Sequence, residues 1–242
     1  RMAEEAAEGS GPESKAVQVW DLPTRFFHWA LVALIALSYA TAELGLGDMQ
    51  LHVYSGYGIL TLLIFRVLWG FLGPRHARFS SFLRSPSATL AYARALLSGQ
   101  ERRYLGHNPL GALSVVAFPL LIGFQVTSGL FAQDDILTEG PLAPLVSSDL
   151  SEELTELHED NFNFILALIA LHLLPIAFHT FGKREGLIRA MLSGRKKAGE
   201  SADAEADAAA PGAAVTLWGL AVLAAAAAAV YAIVELLPAA LG

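Results

Sequence analysis

Cysteine is absent from the 242 residues of this chain. Disulfide bonds, thiolate catalysis and iron–sulfur ligation are therefore excluded. Charge is also scarce, since Lys, Arg, Asp and Glu make up 16% of the residues whereas 54% are hydrophobic. A soluble globular domain carries about 25% charged residues, so this composition is not that of an ordinary soluble domain.

The few charges are spaced so that long stretches contain none. No Lys, Arg, Asp or Glu occurs in residues 26–42, 104–133, 161–182 and 208–234, and residues 52–72 contain only Arg66. A bilayer core about 30 Å thick needs roughly 20 apolar residues in a helix. The sequence therefore predicts five transmembrane helices, over about residues 26–44, 52–72, 109–132, 161–181 and 215–237.

The predicted fold class is all-α, an integral membrane four-helix bundle with a fifth transmembrane helix. We divide the chain into an acidic disordered tail, the four-helix core, a low-complexity linker and the additional helix, over residues 1–16, 17–197, 198–214 and 215–242. The tail does not resemble a cleavable signal, so the first span is expected to be a retained anchor. Residues 86–97 are predicted to form a short interfacial helix.

Basic residues predict the orientation of the spans. Six of the sixteen Lys and Arg lie in residues 73–108 and six in residues 182–197. The connection over residues 133–160 is predicted to be a long loop with nine acidic residues and no basic one. The positive-inside rule puts the basic segments in the cytoplasm, so the amino terminus is inside and the carboxyl terminus outside. The acidic residues of the outer loop are Asp134, Asp135, Glu139, Asp149, Glu152, Glu153, Glu156, Glu159 and Asp160.

Four of the seven histidines fall at two matching depths. His158 and His172 are fourteen residues apart, which is about 21 Å along a helix and roughly 40° around it. Both therefore share one face of the fourth span, near its outer end and in its inner half. His52 opens the second span outside and His28 opens the first span inside. Depth thus pairs His52 with His158 and His28 with His172.

Facing histidine pairs in a bundle core can hold a haem iron from both sides. Such iron has no open position, which favours electron transfer over oxygen chemistry. The alternative is that these histidines lie at the membrane interface, with the polar end of each side chain in water. His179 lies one heptad beyond His172 and is an alternative ligand, whereas His107 is expected to help start a helix and His76 to be solvated.

Several motifs resemble a known family, the bacterial cytochrome b561 proteins, which include the b-type cytochrome subunits of nickel–iron hydrogenases. The segments that carry the resemblance are Val-Trp-Asp-Leu-Pro-Thr-Arg-Phe-Phe-His-Trp at residues 19–29, His-Val-Tyr-Ser-Gly-Tyr-Gly at 52–58, Gly-His-Asn-Pro-Leu-Gly at 106–111 and His-Glu-Asp-Asn-Phe-Asn at 158–163. The resemblance covers about residues 17–197. It implies a four-helix core with two haems b that exchanges electrons with membrane quinone. The fifth helix is not part of this common core.

By matching motif, the resemblance implies His28, His52, His158 and His172 as the iron ligands. The haems would be non-covalent, because a c-type attachment needs the cysteines that the chain lacks. Arg66 and Arg25 are candidates to neutralise haem propionates, and snorkelling to the headgroups is the alternative for both.

The expected function is electron transfer across the bacterial inner membrane, in contact with lipid. Electrons would pass between quinone and an extracytoplasmic redox partner, a c-type cytochrome or a hydrogenase-like enzyme, that docks at the acidic outer loop. A subunit of an oxidoreductase is favoured over a stand-alone enzyme, and no nucleic-acid partner is expected. A quinone-linked superoxide oxidase, a metal-ion transporter and a structural anchor are the alternatives. Transport is disfavoured because no span carries Asp or Glu well inside the bilayer.

Overall fold

The computed structural model describes residues 16–133, 138–183, 185–197 and 212–241. Five of the described helices are long and apolar enough to cross a membrane, which confirms the all-α membrane class. Asp134, Asp135, most of the predicted tail and most of the predicted linker lie outside the described residues. The helices are α1 (Leu22–Ala42), α2 (Met49–Leu72), α3 (Phe79–Phe82), α4 (Pro86–Leu97), α5 (Pro109–Gly129), α6 (Ser148–Ala177), α7 (Leu187–Ser193), α8 (Ala213–Tyr231) and α9 (Leu237–Leu241).

The helices α1, α2, α5 and α6 each begin at a residue whose side chain caps them. Asp21, Asp48, Asn108 and Ser147 accept hydrogen bonds from the backbone N–H three residues further on. Such a cap satisfies a donor that has no partner inside the helix. The caps of α1, α2 and α5 come just before apolar runs, and that of α6 comes just before its acidic segment, so local sequence places the start of each helix.

Helix α6 begins earlier than the sequence predicts. The expected outer loop over residues 133–160 is wrong from Ser148 onward, because α6 runs unbroken from Ser148 to Ala177. Neither Gly nor Pro interrupts the acidic part, and Ser147 caps it. At 1.5 Å per residue, these 30 residues span about 45 Å, longer than a hydrocarbon core. The acidic segment is therefore a helical extension of the fourth span.

The four-helix core consists of two antiparallel hairpins, α1 with α2 and α5 with α6. Buried side chains join them at mid-height, namely Ile59, Leu63, Ile122, Val126 and Ile165. We call the end where α1 ends and α6 begins the acidic end, and the opposite end, where α1 begins and α6 ends, the basic end.

Shorter elements cover the basic end. The predicted helix over residues 86–97 is present as α4. Two strands that the sequence did not predict, β1 (Ala16–Gln18) and β2 (Arg195–Lys197), pair in antiparallel register. Their three residues each are too few to show an alternating pattern. The pairing ties the segment before α1 to the segment after α7.

The fifth span packs against α2 and the start of α1. Val222 and Ala226 of α8 are buried against Phe65 and Trp69 of α2. A Cβ on Gly219 would lie 2.5 Å from Pro23, so this helix approaches α1 closely because it has a glycine there. After Tyr231 the helix passes through a π-helical segment, Ala232–Leu236, into α9.

Candidate metal centre

His52 and His158 lie beside each other at the acidic end. His52 is in the first turn of α2, and His158 is in the third turn of α6. Their ring centres are 6.2 Å apart, with the ring planes at 76°. The structure thus brings together two histidines that the sequence pairs by depth alone.

Each of these two rings is oriented by a carbonyl of the neighbouring helix. The Nδ1 of His52 lies 3.0 Å from the Ser38 carbonyl oxygen in α1, and the Nδ1 of His158 lies 2.8 Å from the Gln125 carbonyl oxygen in α5. A carbonyl only accepts, so each Nδ1 carries the hydrogen, which leaves Nε2 as the nitrogen available to a metal. This is how metal-ligating histidines are usually held.

The separation of the rings suits a metal between them. Two metal–nitrogen bonds of about 2 Å each, plus about 1 Å from each nitrogen to its ring centre, put the centres roughly 6 Å apart. Gly129 keeps the site open, since a Cβ there would lie 2.7 Å from Cε1 of His158. The donor set, two imidazoles with no carboxylate among the described residues, fits ligation of haem iron from both sides.

Polar side chains that the sequence did not predict as part of the site surround this pair. The Gln125 amide donates to the His158 carbonyl at 2.8 Å, and Asn161 donates to the Gln125 side-chain oxygen at 2.7 Å. Ser38 and Ser55 share a hydrogen bond of 2.5 Å, and Ser55 also donates to the His52 carbonyl. Their signal in the sequence is modest: Gln125 is the one amide side chain in α5.

The second pair, His28 and His172, lies at the basic end. The two side chains are close enough to interact electrostatically. His28 contacts Trp29, and the His172 ring stands perpendicular to Phe118 with 5.5 Å between ring centres. The Nδ1 of His28 is shielded and lacks a hydrogen-bond partner among the described residues. This pair is therefore less fixed by the protein than the pair at the acidic end.

His179, the alternative ligand, has a different neighbour. It lies in the π-helical segment Phe178–Gly182 that follows α6, and its side chain is buried. Its Nδ1 is 3.4 Å from a carboxylate oxygen of Glu185. His172 acts electrostatically on His28, whereas the charged neighbour of His179 is Glu185, so the arrangement favours His172 as the ligand opposite His28.

The two arginines have distinct surroundings. Arg66 is 4% exposed, donates to the Ala77 carbonyl at 3.2 Å and lies over the Phe79 ring. Arg25 donates to the Leu192 carbonyl at 2.5 Å, and its shielded Nε lacks a partner among the described residues. Arg25 thus ties α1 to the end of α7, a role that the sequence did not predict. A propionate contact stays a prediction for both.

Among the described residues, neither pair is part of a binding site for a free metal ion. Within the described parts of the chain, no three His, Asp or Glu side chains gather in a metal-binding arrangement. The histidines therefore form two pairs, each with one member on α6. Ile165, seven residues from both His158 and His172, is buried in the apolar layer between the two pairs.

Comparison with known proteins points the same way. The family model described as prokaryotic cytochrome b561 matches residues 19–194. A probable Ni/Fe-hydrogenase B-type cytochrome subunit of Cupriavidus necator is 26% identical, covering 79% of this chain and 91% of that protein. Proteins with the same description from Azotobacter chroococcum and Rhodobacter capsulatus are 24% and 21% identical, covering 74% and 75% of this chain and 88% and 81% of the relatives. No solved structure matches significantly.

Proposed function

The chain belongs to the prokaryotic cytochrome b561 family, and we propose that it carries electrons across a bacterial inner membrane through two bis-histidine haems b. Membrane electron transfer with b-type haem follows from the family. The number of haems, their ligands, quinone and the soluble partner are the proposal. The observation that carries it is the His52–His158 pair, whose rings lie 6.2 Å apart with both Nδ1 atoms turned to carbonyls.

His52 and His158 would hold one haem, and His28 and His172 the other. Bound haem supplies one-electron iron chemistry. The protein's part would be to ligate the iron from both sides through the histidine imidazoles, and to fix the ring orientation through the Ser38 and Gln125 carbonyls. The apolar layer around Ile165 keeps water out between the two sites.

Orientation follows from charge. The basic end faces the cytoplasm in this proposal, because the connections there carry most of the Lys and Arg. The amino terminus is then cytoplasmic and the carboxyl terminus periplasmic. The haem of His52 and His158 lies near the outer surface, and that of His28 and His172 near the inner one. Quinone would exchange electrons within the membrane.

The acidic extension of α6 would receive the extracytoplasmic partner. Its six carboxylates are exposed and, at 100° per residue, fall within about a third of the helix circumference. His158 and the buried Ser151 lie on the opposite side. The result is one acidic stripe that faces away from the bundle beside the outer site. We define it as Asp149, Glu152, Glu153, Glu156, Glu159 and Asp160. Such a field attracts a basic c-type cytochrome or a basic patch on another redox protein.

The test is haem content in the purified protein and in four variants. The wild type is expected to hold two non-covalent, low-spin haems b per chain. His52→Ala or His158→Ala should remove the outer haem and largely spare the inner one, because each deletes one of two axial ligands. His28→Ala and His172→Ala should do the reverse. Pyridine haemochrome counts and redox titrations report both components.

His179→Ala is the matched control, since it removes a histidine from the same helical face without touching either proposed pair. It should keep both haems. One haem per chain in the wild type, or losses that do not sort into these pairs, would overturn the assignment. Loss of the inner haem in His179→Ala but not in His172→Ala would show that the ligand is His179.

A further inference from the structure

His107 is a histidine that the proposed haem ligation does not use. Its ring contacts two aromatic side chains, with ring centres 4.7 Å from Trp20 and 4.8 Å from Phe82. Its Nδ1 is shielded from solvent and has no hydrogen-bond partner among the described residues. A buried polar nitrogen without a partner is costly. A phenylalanine could make the same aromatic contacts without that cost.

A second buried polar group with few partners, the Arg66 guanidinium, is a neighbour of His107. Arg66 is buried, and its guanidinium contacts one carbonyl and one aromatic ring. Among the described residues no carboxylate lies within ion-pair distance of it; Asp21 acts on it only from further away. A buried arginine in a membrane helix without an anion in contact is unfavourable and points to a functional partner.

Both groups lie where the inner haem would be. The titratable and charged groups that face His107 are Arg66 from α2, His76 from the connector, His172 from α6 and His28 from α1. None of these is an acid. Burial, with Arg66 as the next cause, lowers the pKa of His107 to about 3. The ring is therefore neutral at physiological pH and has one N–H to donate.

We propose that His107, together with Arg66, binds a propionate of the haem held by His28 and His172. His107 would be a positioning residue that donates a hydrogen bond to the carboxylate, while Arg66 supplies the positive charge. The contacts with Trp20 and Phe82 would hold the ring so that the donor is in place before haem binds. This inference rests on the proposed inner haem.

The consequence is a shifted propionate pKa. A hydrogen bond to the carboxylate form keeps the pKa of a carboxyl group low. Reducing the haem removes one positive charge and raises that pKa, so the midpoint of the inner haem depends on pH across the range between the two values. Removing the donor moves this range to higher pH.

The experiment is a redox titration of the purified full chain from pH 5 to 9 in wild type, His107→Phe and His107→Gln. Phenylalanine keeps the aromatic packing and loses the donor, whereas glutamine keeps a donor. In His107→Phe the pH range over which the midpoint of the inner haem changes should move up by roughly one unit, which is tenfold in proton affinity. His107→Gln should stay near wild type, and the outer component should not change.

Loss of the inner haem in His107→Phe with retention in His107→Gln would support the proposal too. An unchanged pH profile in His107→Phe would overturn it, and so would loss of the inner haem in both variants, since the donor that glutamine keeps would then not be enough to hold the haem. These outcomes are separate from the proposed function, which fails if the wild type itself has no second haem.

Discussion

Gly129 offers a direct test of the His52–His158 site. A Cβ at this position would lie 2.7 Å from Cε1 and 3.0 Å from Nδ1 of His158, whereas carbon atoms pack at about 3.5–4.0 Å. In Gly129→Ala the ring must therefore move by roughly 0.8 Å or more. The Nδ1–H bond to the Gln125 carbonyl is 2.8 Å long and would lengthen beyond the normal limit of about 3.2 Å.

Gly129→Ala should weaken haem binding at the outer site and leave the fold intact. Overpacking of this kind costs about 1–3 kcal/mol, which is roughly 5- to 150-fold in affinity at the outer site. Alanine within a helix is itself favoured over glycine by about 0.5–1 kcal/mol, so the helix should form normally. Haem counts and redox titrations should therefore show a weakened or missing outer component and an intact inner one.

Gly123 is the matched control because it lies on the same helix, and a Cβ added there would meet nothing within 4 Å. Gly123→Ala should keep both haems and both midpoints. The reasoning is refuted if Gly129→Ala keeps an unchanged outer component. It is equally refuted if Gly123→Ala produces the same loss, since the effect would then belong to α5 in general.

Two further predictions concern the acidic stripe and the packing of the fifth helix. Replacing Glu152, Glu153 and Glu156 by Gln should slow electron exchange with a basic soluble cytochrome several-fold at low ionic strength, and the difference should vanish as salt rises. Stopped-flow rates that do not depend on salt, or that fall equally for an acidic cytochrome, would contradict the proposed role of the acidic stripe. Ala226 of α8 is 0% exposed, so Ala226→Leu should destabilise the packing of the fifth helix by about 1–3 kcal/mol and lower the Tm while haem content stays the same. Ala225 is exposed, and Ala225→Leu should leave the Tm unchanged; equal melting of both variants would show that this packing contributes little.

Much of the fold can be predicted because charged side chains are costly inside the membrane and therefore rare in the spans. The five spans follow from stretches that contain no charge or only Arg66, and α4 follows from the apolar spacing of residues 86–97. The predicted loop before the fourth span is wrong because acidity alone does not distinguish a loop from a solvated helix. The helical spacing of those carboxylates is the signal that does. The contact of Arg25 with Leu192 joins residues 167 apart, and no local pattern reports such a contact.

The histidines of the site could be found from their spacing, whereas the groups that orient them could not. Counting residues along a helix gives depth, which is enough to pair His52 with His158. Their partners are the carbonyls of Ser38 and Gln125. Every residue has a carbonyl, so its identity carries no information about which one bonds a ring. That part of the site depends on how the two helices of each hairpin align.

The two pairs differ in how much of each site exists before a cofactor binds. At the acidic end, each hairpin supplies a histidine on one helix and its orienting carbonyl on the other, so hairpin formation alone sets the tautomer and the ring direction. At the basic end, the His28 Nδ1 has no such partner among the described residues, and the aromatic rings of Trp29 and Phe118 supply packing in its place. Ring contacts restrain position less directionally than hydrogen bonds do. In the proposed two-haem arrangement, the inner site would therefore gain more of its order from the haem itself, including the proposed contacts of Arg66 and His107 with propionates.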